Sequence, residues 1–166
     1  SAAYPEGPGL NIPVNMSVAF HSDAGCHPTD KLVGTFMFYT IKDDDKETTY
    51  PSGGDRICNR DFADFIQTQI VEDIRQTMMP TWQKRHLMHQ SMSETRNPKV
   101  PSTIIELLSH HNYYDMTFGL DPKFKFIASR AIYKGMLRFI HQTTGTPYVV
   151  QPLPVQQMNI SYANND

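Results

Sequence analysis

Pro101-Ser-Thr-Ile-Ile-Glu-Leu-Leu-Ser-His-His-Asn112 is the stretch on which the reading of this chain turns. Thr103 to Leu108 has the make-up of a short buried strand, interrupted by one carboxylate, Glu106. An ionised Glu in a buried strand is costly unless it is paired, hydrogen-bonded or held beside a metal. Ser109, His110, His111 and Asn112 follow at once and bring polar groups to the strand's end. Ser17-Val-Ala-Phe-His21-Ser-Asp-Ala-Gly25 has the same form, an apolar strand running into His21 and Asp23. Ligand sites of open α/β sheets form beyond the carboxyl ends of the strands. Two such strands side by side would therefore make a site.

Outward from this stretch, strands and helices alternate. Residues 1–13 are rich in Pro and Gly and read as loop. Val14 to Phe20 reads as the first strand and Val33 to Thr40, aromatic and β-branched, as the second. Asp43-Asp-Asp-Lys-Glu47 lacks the Gly and distal Glu of a calcium loop and reads as a solvated turn. Asp61 to Met79 is the first clear helix, with Asp61 as cap, Phe62, Phe65, Ile66, Ile70, Ile74 and Met78 at helical spacing, and Pro80 as stop. That stripe reads as core. Leu87 to Met92 is a weaker strand, Thr95 to Pro101 a turn, and Tyr113 to Asp121 a loop. A second long helix opens on Asp121-Pro122 and stops at Gly145 and Pro147. The alternation predicts a three-layer α/β domain, a mostly parallel sheet flanked by helices, over residues 1–145. Residues 146–166 read as a linker or the start of a following β-rich domain.

With 166 residues the chain is one domain's length, and 39% hydrophobic content supports a core. A net charge of −2 gives no reason to expect nucleic acid or an anionic membrane as partner. No apolar run approaches the roughly 20 residues of a membrane span. The first residues have neither the basic nor the apolar region of a signal peptide. Cys26 and Cys58 lie in no metal-binding spacing and read as unpaired thiols, with a single bridge as the alternative.

Chemically, a His ligand with a Glu that takes a water proton suits zinc hydrolysis, although a catalytic zinc takes three protein ligands and the chain has no HExxH pair. The competing structural readings are a satisfied strand-end histidine for His21 and a buried ion pair of Glu106 with Arg96 or Arg130. His110 and His111 face opposite ways if the backbone is extended, so at most one would meet the site. A serine nucleophile at Ser22 or Ser109 lacks the GxSxG elbow.

Taken together, these motifs resemble the zinc-dependent N-acetylmuramoyl-L-alanine amidases of the Amidase_3 type. That family's S-x-H-x-N-A motif, whose His binds zinc, corresponds to Ser17-Val-Ala-Phe-His21-Ser-Asp-Ala24. Its P-x-x-L-x-E-x-x-F-x-S-N motif, whose Glu is the acid/base, corresponds to Pro101 through Glu106 to Asn112. Val33 to Tyr39, the helix from Asp61 and the Asp121-Pro122 helix follow the family's order over about residues 10–142. More closely, stretches such as ELLSHHNYYDM and FIASRAIYKGML resemble the amidase-like part of large secreted Bacteroidetes proteins labelled xanthan lyases.

The resemblance implies an extracytoplasmic enzyme that cleaves peptidoglycan with zinc on His21 and Glu106 as acid/base. Asp23, Arg96 and His110 become candidates for substrate contact, and Glu94 a further one. The family's other zinc ligands, a His and a Glu, lie upstream of the strand that holds His21, so the upstream part of the same domain is an expected partner. Asp23 stands where the family has Asn, Leu107-Leu108 where it has Gly-Phe, and His110 is an addition. The alternatives are a non-catalytic glycan- or peptide-binding module on the same fold, and a polysaccharide lyase using Arg96 to neutralise a uronate.

Overall fold

The computed structural model describes residues 12–24 and 31–154. Four strands, β1 (Ser17–Asp23), β2 (Thr35–Tyr39), β3 (Lys84–His89) and β4 (Ser102–Ser109), form one sheet in the order β1-β4-β2-β3. The β1–β4 and β2–β3 pairs are parallel and the β2–β4 pair is antiparallel, so the sheet is mixed with two of its three pairings parallel. Four helices complete the described chain: α1 (Cys58–Thr77), α2 (Ser93–Arg96), α3 (Tyr113–Gly119) and α4 (Pro122–Thr144). The expected flanked α/β sheet is present.

The core forms where α1 and α4 cross the sheet. Phe62, Ala63, Ile66, Ile70 and Ile74 of α1 are buried, as the helical stripe requires. On α4, Phe124, Ala128, Ala131, Gly135 and Phe139 recur on one face and are buried too. Gly135 lets the helices touch: a Cβ there would lie 2.7 Å from Ile66 Cα and 3.1 Å from the Phe65 carbonyl oxygen. Met37 and Ile105, register partners on β2 and β4, meet this layer from the sheet. Trp82 fills the gap before β3, and its indole N–H donates to Thr35 Oγ1 at 2.9 Å.

Boundaries differ from expectation for local reasons. β1 continues through His21 to Asp23, because His21 pairs in register with Glu106. His21 is thus a strand residue and not the first residue beyond the strand. α1 begins at Cys58, three residues before Asp61, since Asp55 accepts from the Ile57 and Cys58 amides and starts the turn early. Asp61 sits in the first turn instead of capping it. α3 replaces an expected loop: Asn112 Oδ1 accepts from the Asp115 amide at 2.7 Å, a polar cap in a segment without helical periodicity. The α4 start matches the expectation, with Asp121 Oδ1 accepting from the Lys123 amide at 2.8 Å and Pro122 at the first position. Gly145 ends the helix in the left-handed region at φ 71°.

Asp115 ties the start of β2 to the carboxyl end of β4. It is fully buried, and its carboxylate accepts from the amides of Val33 (2.9 Å), Gly34 (3.3 Å) and Ser109 (3.0 Å). Three amide donors supply the hydrogen bonds that a buried carboxylate needs. The beginning of β2, the end of β4 and α3 are fixed by one side chain. No helix among the described residues is long and apolar enough to cross a membrane. Cys58 is a free, half-buried thiol; Cys26 lies outside the described residues.

Candidate functional site

Glu106 and His21 meet because β1 and β4 are parallel neighbours in register, His21 opposite Glu106. Ser102, Ile104 and Glu106 point to the sheet face opposite to Ile105 and the α1–α4 core, as alternation along β4 requires. α2 lies on that second face, anchored where Ser102 Oγ donates to the Thr95 carbonyl at 2.9 Å. From α2, Glu94 reaches across: its Oε1 is 2.7 Å from His21 Nε2, with both side chains a little over 40% exposed.

Glu106 sits deeper. Phe36 of β2, its register partner on the other side, is buried. Glu106 Oε2 is shielded from water and has no hydrogen-bond partner among the described residues. Neither ion pair of the competing reading forms: Arg96 pairs with Asp44 and bonds Ser91 Oγ, while Arg130 donates to the Gln151 carbonyl. Burial lifts the Glu106 carboxyl above the ordinary carboxylate range. His21 and Arg85 offset part of that rise, and the negative charges of Asp23 and Glu94 add to it. An acidic group held protonated to higher pH than usual, beside an imidazole, is the pattern of an acid/base residue.

Asp23 closes the group from the end of β1. It is buried and bound by Arg85 Nη1 at 2.7 Å, and the Arg85 guanidinium also lies 4.6 Å from the Phe36 ring centroid. Arg85 had no signal in the sequence, because it sits in a charged stretch, Lys84-Arg-His86, that resembles a solvated strand end. His110 stands apart from Glu106. Its Nδ1 is 2.9 Å from Ser22 Oγ and its amide donates to the Asp23 carbonyl. Phe20, His21, Ser22 and His110 border an apolar cavity of about 430 Å³ floored by Leu107, Met116 and Phe124. The structure thus brings His21, Glu106, Asp23 and Glu94 to one place, sets His110 beside it, and points Arg96 towards the Asp43–Asp45 loop.

Zinc fits the described residues only in part. One imidazole is present, with Glu94 bonded to it, and no three His, Cys, Asp or Glu side chains among the described residues form a group that would hold a metal ion. A catalytic zinc takes three protein ligands. These residues alone do not complete such a site.

No family model matches this chain, and no curated protein matches it by sequence. Among solved structures it is similar to the N-acetylmuramoyl-L-alanine amidase of Clostridium difficile 630, with TM-score 0.61 and 16% identity over 78% of this chain and 59% of that one. It is also similar to the CwlD amidase of Clostridioides difficile, solved in complex with the GerS lipoprotein (TM-score 0.58, 20% identity, 80% and 57% covered). The catalytic domain of CwlV, the amidase of Bacillus (Paenibacillus) polymyxa var. colistinus, gives TM-score 0.56 at 13% identity, with 76% and 57% covered. The chain shares the fold of these amidases and spans less than two thirds of their length.

Proposed function

We propose that this chain carries the acid/base portion of an amidase site that acts on peptidoglycan outside the cytoplasm. The bond cleaved is the amide between the lactyl group of N-acetylmuramic acid and L-alanine. The observation that carries the reading is Glu106: a shielded, unpartnered carboxylate oxygen beside His21, on the fold of N-acetylmuramoyl-L-alanine amidases. Glu106 takes a proton from the attacking water as the new C–O bond forms, then delivers it to the amine nitrogen as the C–N bond breaks. Its raised pKa suits both halves of that cycle. His21, held by Glu94 through one ring nitrogen, lies beside Glu106 on the neighbouring strand. A zinc ion on His21 would need donors from outside the described residues, and no step is routed through it.

The test is peptide release from purified sacculi by the full chain, followed by labelling of new L-alanine amino termini. The wild type is expected to release peptide, and Glu106→Gln to lose roughly 10²–10⁴ of that rate. Metal analysis of the purified protein reads zinc independently. A second reading of the same fold is a glycan- or peptide-binding module. Tight sacculus binding without release, unchanged in Glu106→Gln, would select it.

A further inference from the structure

We propose that α2 is a positioning device for this site and that Thr95, on its buried side, holds Glu94 against His21. The inference deepens the reading of the Glu106 face, and its test needs no substrate.

A helix of four residues has no stability of its own, and α2 begins without a side-chain cap. It is held from below. Thr95 is fully buried, with its Oγ1 2.6 Å from Thr40 Oγ1. The Thr40 hydroxyl also lies 2.6 Å from the Gln90 carbonyl, an oxygen that only accepts. A hydroxyl has one proton, so Thr40 gives its own to Gln90 and receives that of Thr95. The Thr95 carbonyl accepts from Ser102 Oγ at 2.9 Å, and the Ser102 amide donates to Asn59 Oδ1 at 2.8 Å. Asn59 Nδ2 donates to the Thr40 carbonyl at 2.7 Å, which closes a circuit through Thr95, Thr40, Asn59 and Ser102.

All four residues are buried, and they join α2, the residue after β2, the first turn of α1 and the first residue of β4. Arg56 adds a second hold: fully buried, it reaches the carbonyls of Arg96 and Pro98 at 3.3 and 3.5 Å. Its charge is met by Asp43 at 3.3 Å and the Tyr50 ring at 4.4 Å.

Exposed ion pairs contribute little, partly because two free side chains must be ordered. Fixing the backbone under Glu94 removes part of that entropic cost. The register of β1 and β4 puts Glu106 beside His21, so an imidazole released by Glu94 has that carboxylate within reach. While Glu94 occupies Nε2, Glu106 Oε2 stays open. Thr95 is therefore linked to the condition of Glu106 through Glu94 and His21.

The experiment uses the full chain in Thr95→Val, Thr95→Ser and Glu94→Gln forms. Long-range ¹H–¹⁵N spectra read the His21 ring nitrogens, assigned with His21→Gln. Thr95→Val is expected to move the His21 signals to their positions in Glu94→Gln, and to speed exchange of the Arg96 and Asn97 amides by roughly tenfold. Thr95→Ser, which keeps the hydroxyl, is expected to retain the wild-type signals. Wild-type His21 signals in folded Thr95→Val, or a Thr95→Ser spectrum matching Thr95→Val, would overturn the proposal. If Thr95→Val does not fold, Ser102→Ala, which removes the donor to the Thr95 carbonyl, is read by the same criteria. Failure of peptide release from sacculi would refute the amidase reading alone and leave this result standing.

Discussion

Glu106→Gln keeps the volume of the side chain and removes its charge. In the folded chain Oε2 is shielded and unpartnered, and the carboxyl pKa is raised chiefly by burial. An unsatisfied buried polar atom costs roughly 1–3 kcal/mol, more when it is charged. Gln leaves a polar atom in the same place and sheds only the part due to charge; with Glu106 half-buried and Arg85 and His21 offsetting some of it, that part is about 1 kcal/mol. The variant should therefore be more stable than the wild type at neutral pH, by about 2–4 °C in melting temperature for a chain of this size.

The pH dependence has a fixed sign. Because the folded-state pKa lies above the unfolded one, the contribution of this carboxyl is fully present below the unfolded value. It is lost as pH rises through the folded value. The difference between variant and wild type should thus be near zero at about pH 4 and largest at about pH 8. Urea titrations followed through Trp82, the single and fully buried tryptophan, read it directly. A variant less stable than wild type at about pH 8, or a difference that does not change with pH, would refute the claim that Glu106 is held against its own burial. Loss of activity together with gain of stability is the trade expected of a functional residue.

Three further outcomes follow from the packing. Gly135→Ala gains up to about 1 kcal/mol of helix propensity. It also pushes a methyl into the Ile66 backbone at 2.7 Å, which cannot give way as a side-chain tip would, so a net loss of about 1–2 kcal/mol is expected by urea titration. Asp115→Ala strands the buried amides of Gly34 and Ser109 and should lower stability by about 3 kcal/mol or more, whereas Asp115→Asn, keeping one acceptor, loses less. Burial first, then the charges of Asp61 and Asp55, raise the Cys58 thiol pKa. Alkylation of Cys58 in a Cys26→Ser background should be at least about tenfold slower in the native chain than in urea.

Much of this was legible in the sequence because it depends on local pattern. The α1 stripe, the Asp121-Pro122 start of α4 and the apolar run around Glu106 are each set by residues within a few positions of one another. The burial of Glu106 also follows from its strand, since period-two alternation leaves a side chain in such a run little choice of surroundings. The rest required the chain to be folded. Arg85 meets Asp23 only because β3 and β1 belong to one sheet, 62 residues apart in sequence. Thr95, read as part of a turn, becomes the anchor of α2 through Thr40, the residue after β2, and Ser102, the first of β4. Glu106's lack of a partner was equally hidden: Arg96 and Arg130 were available by composition, and the folded chain directs them to Asp44 and Gln151. A sequence states which charges exist. Which of them come within a few ångströms of one another is decided by strand order and register, because electrostatic and hydrogen-bond energies depend on distances that only the tertiary structure sets.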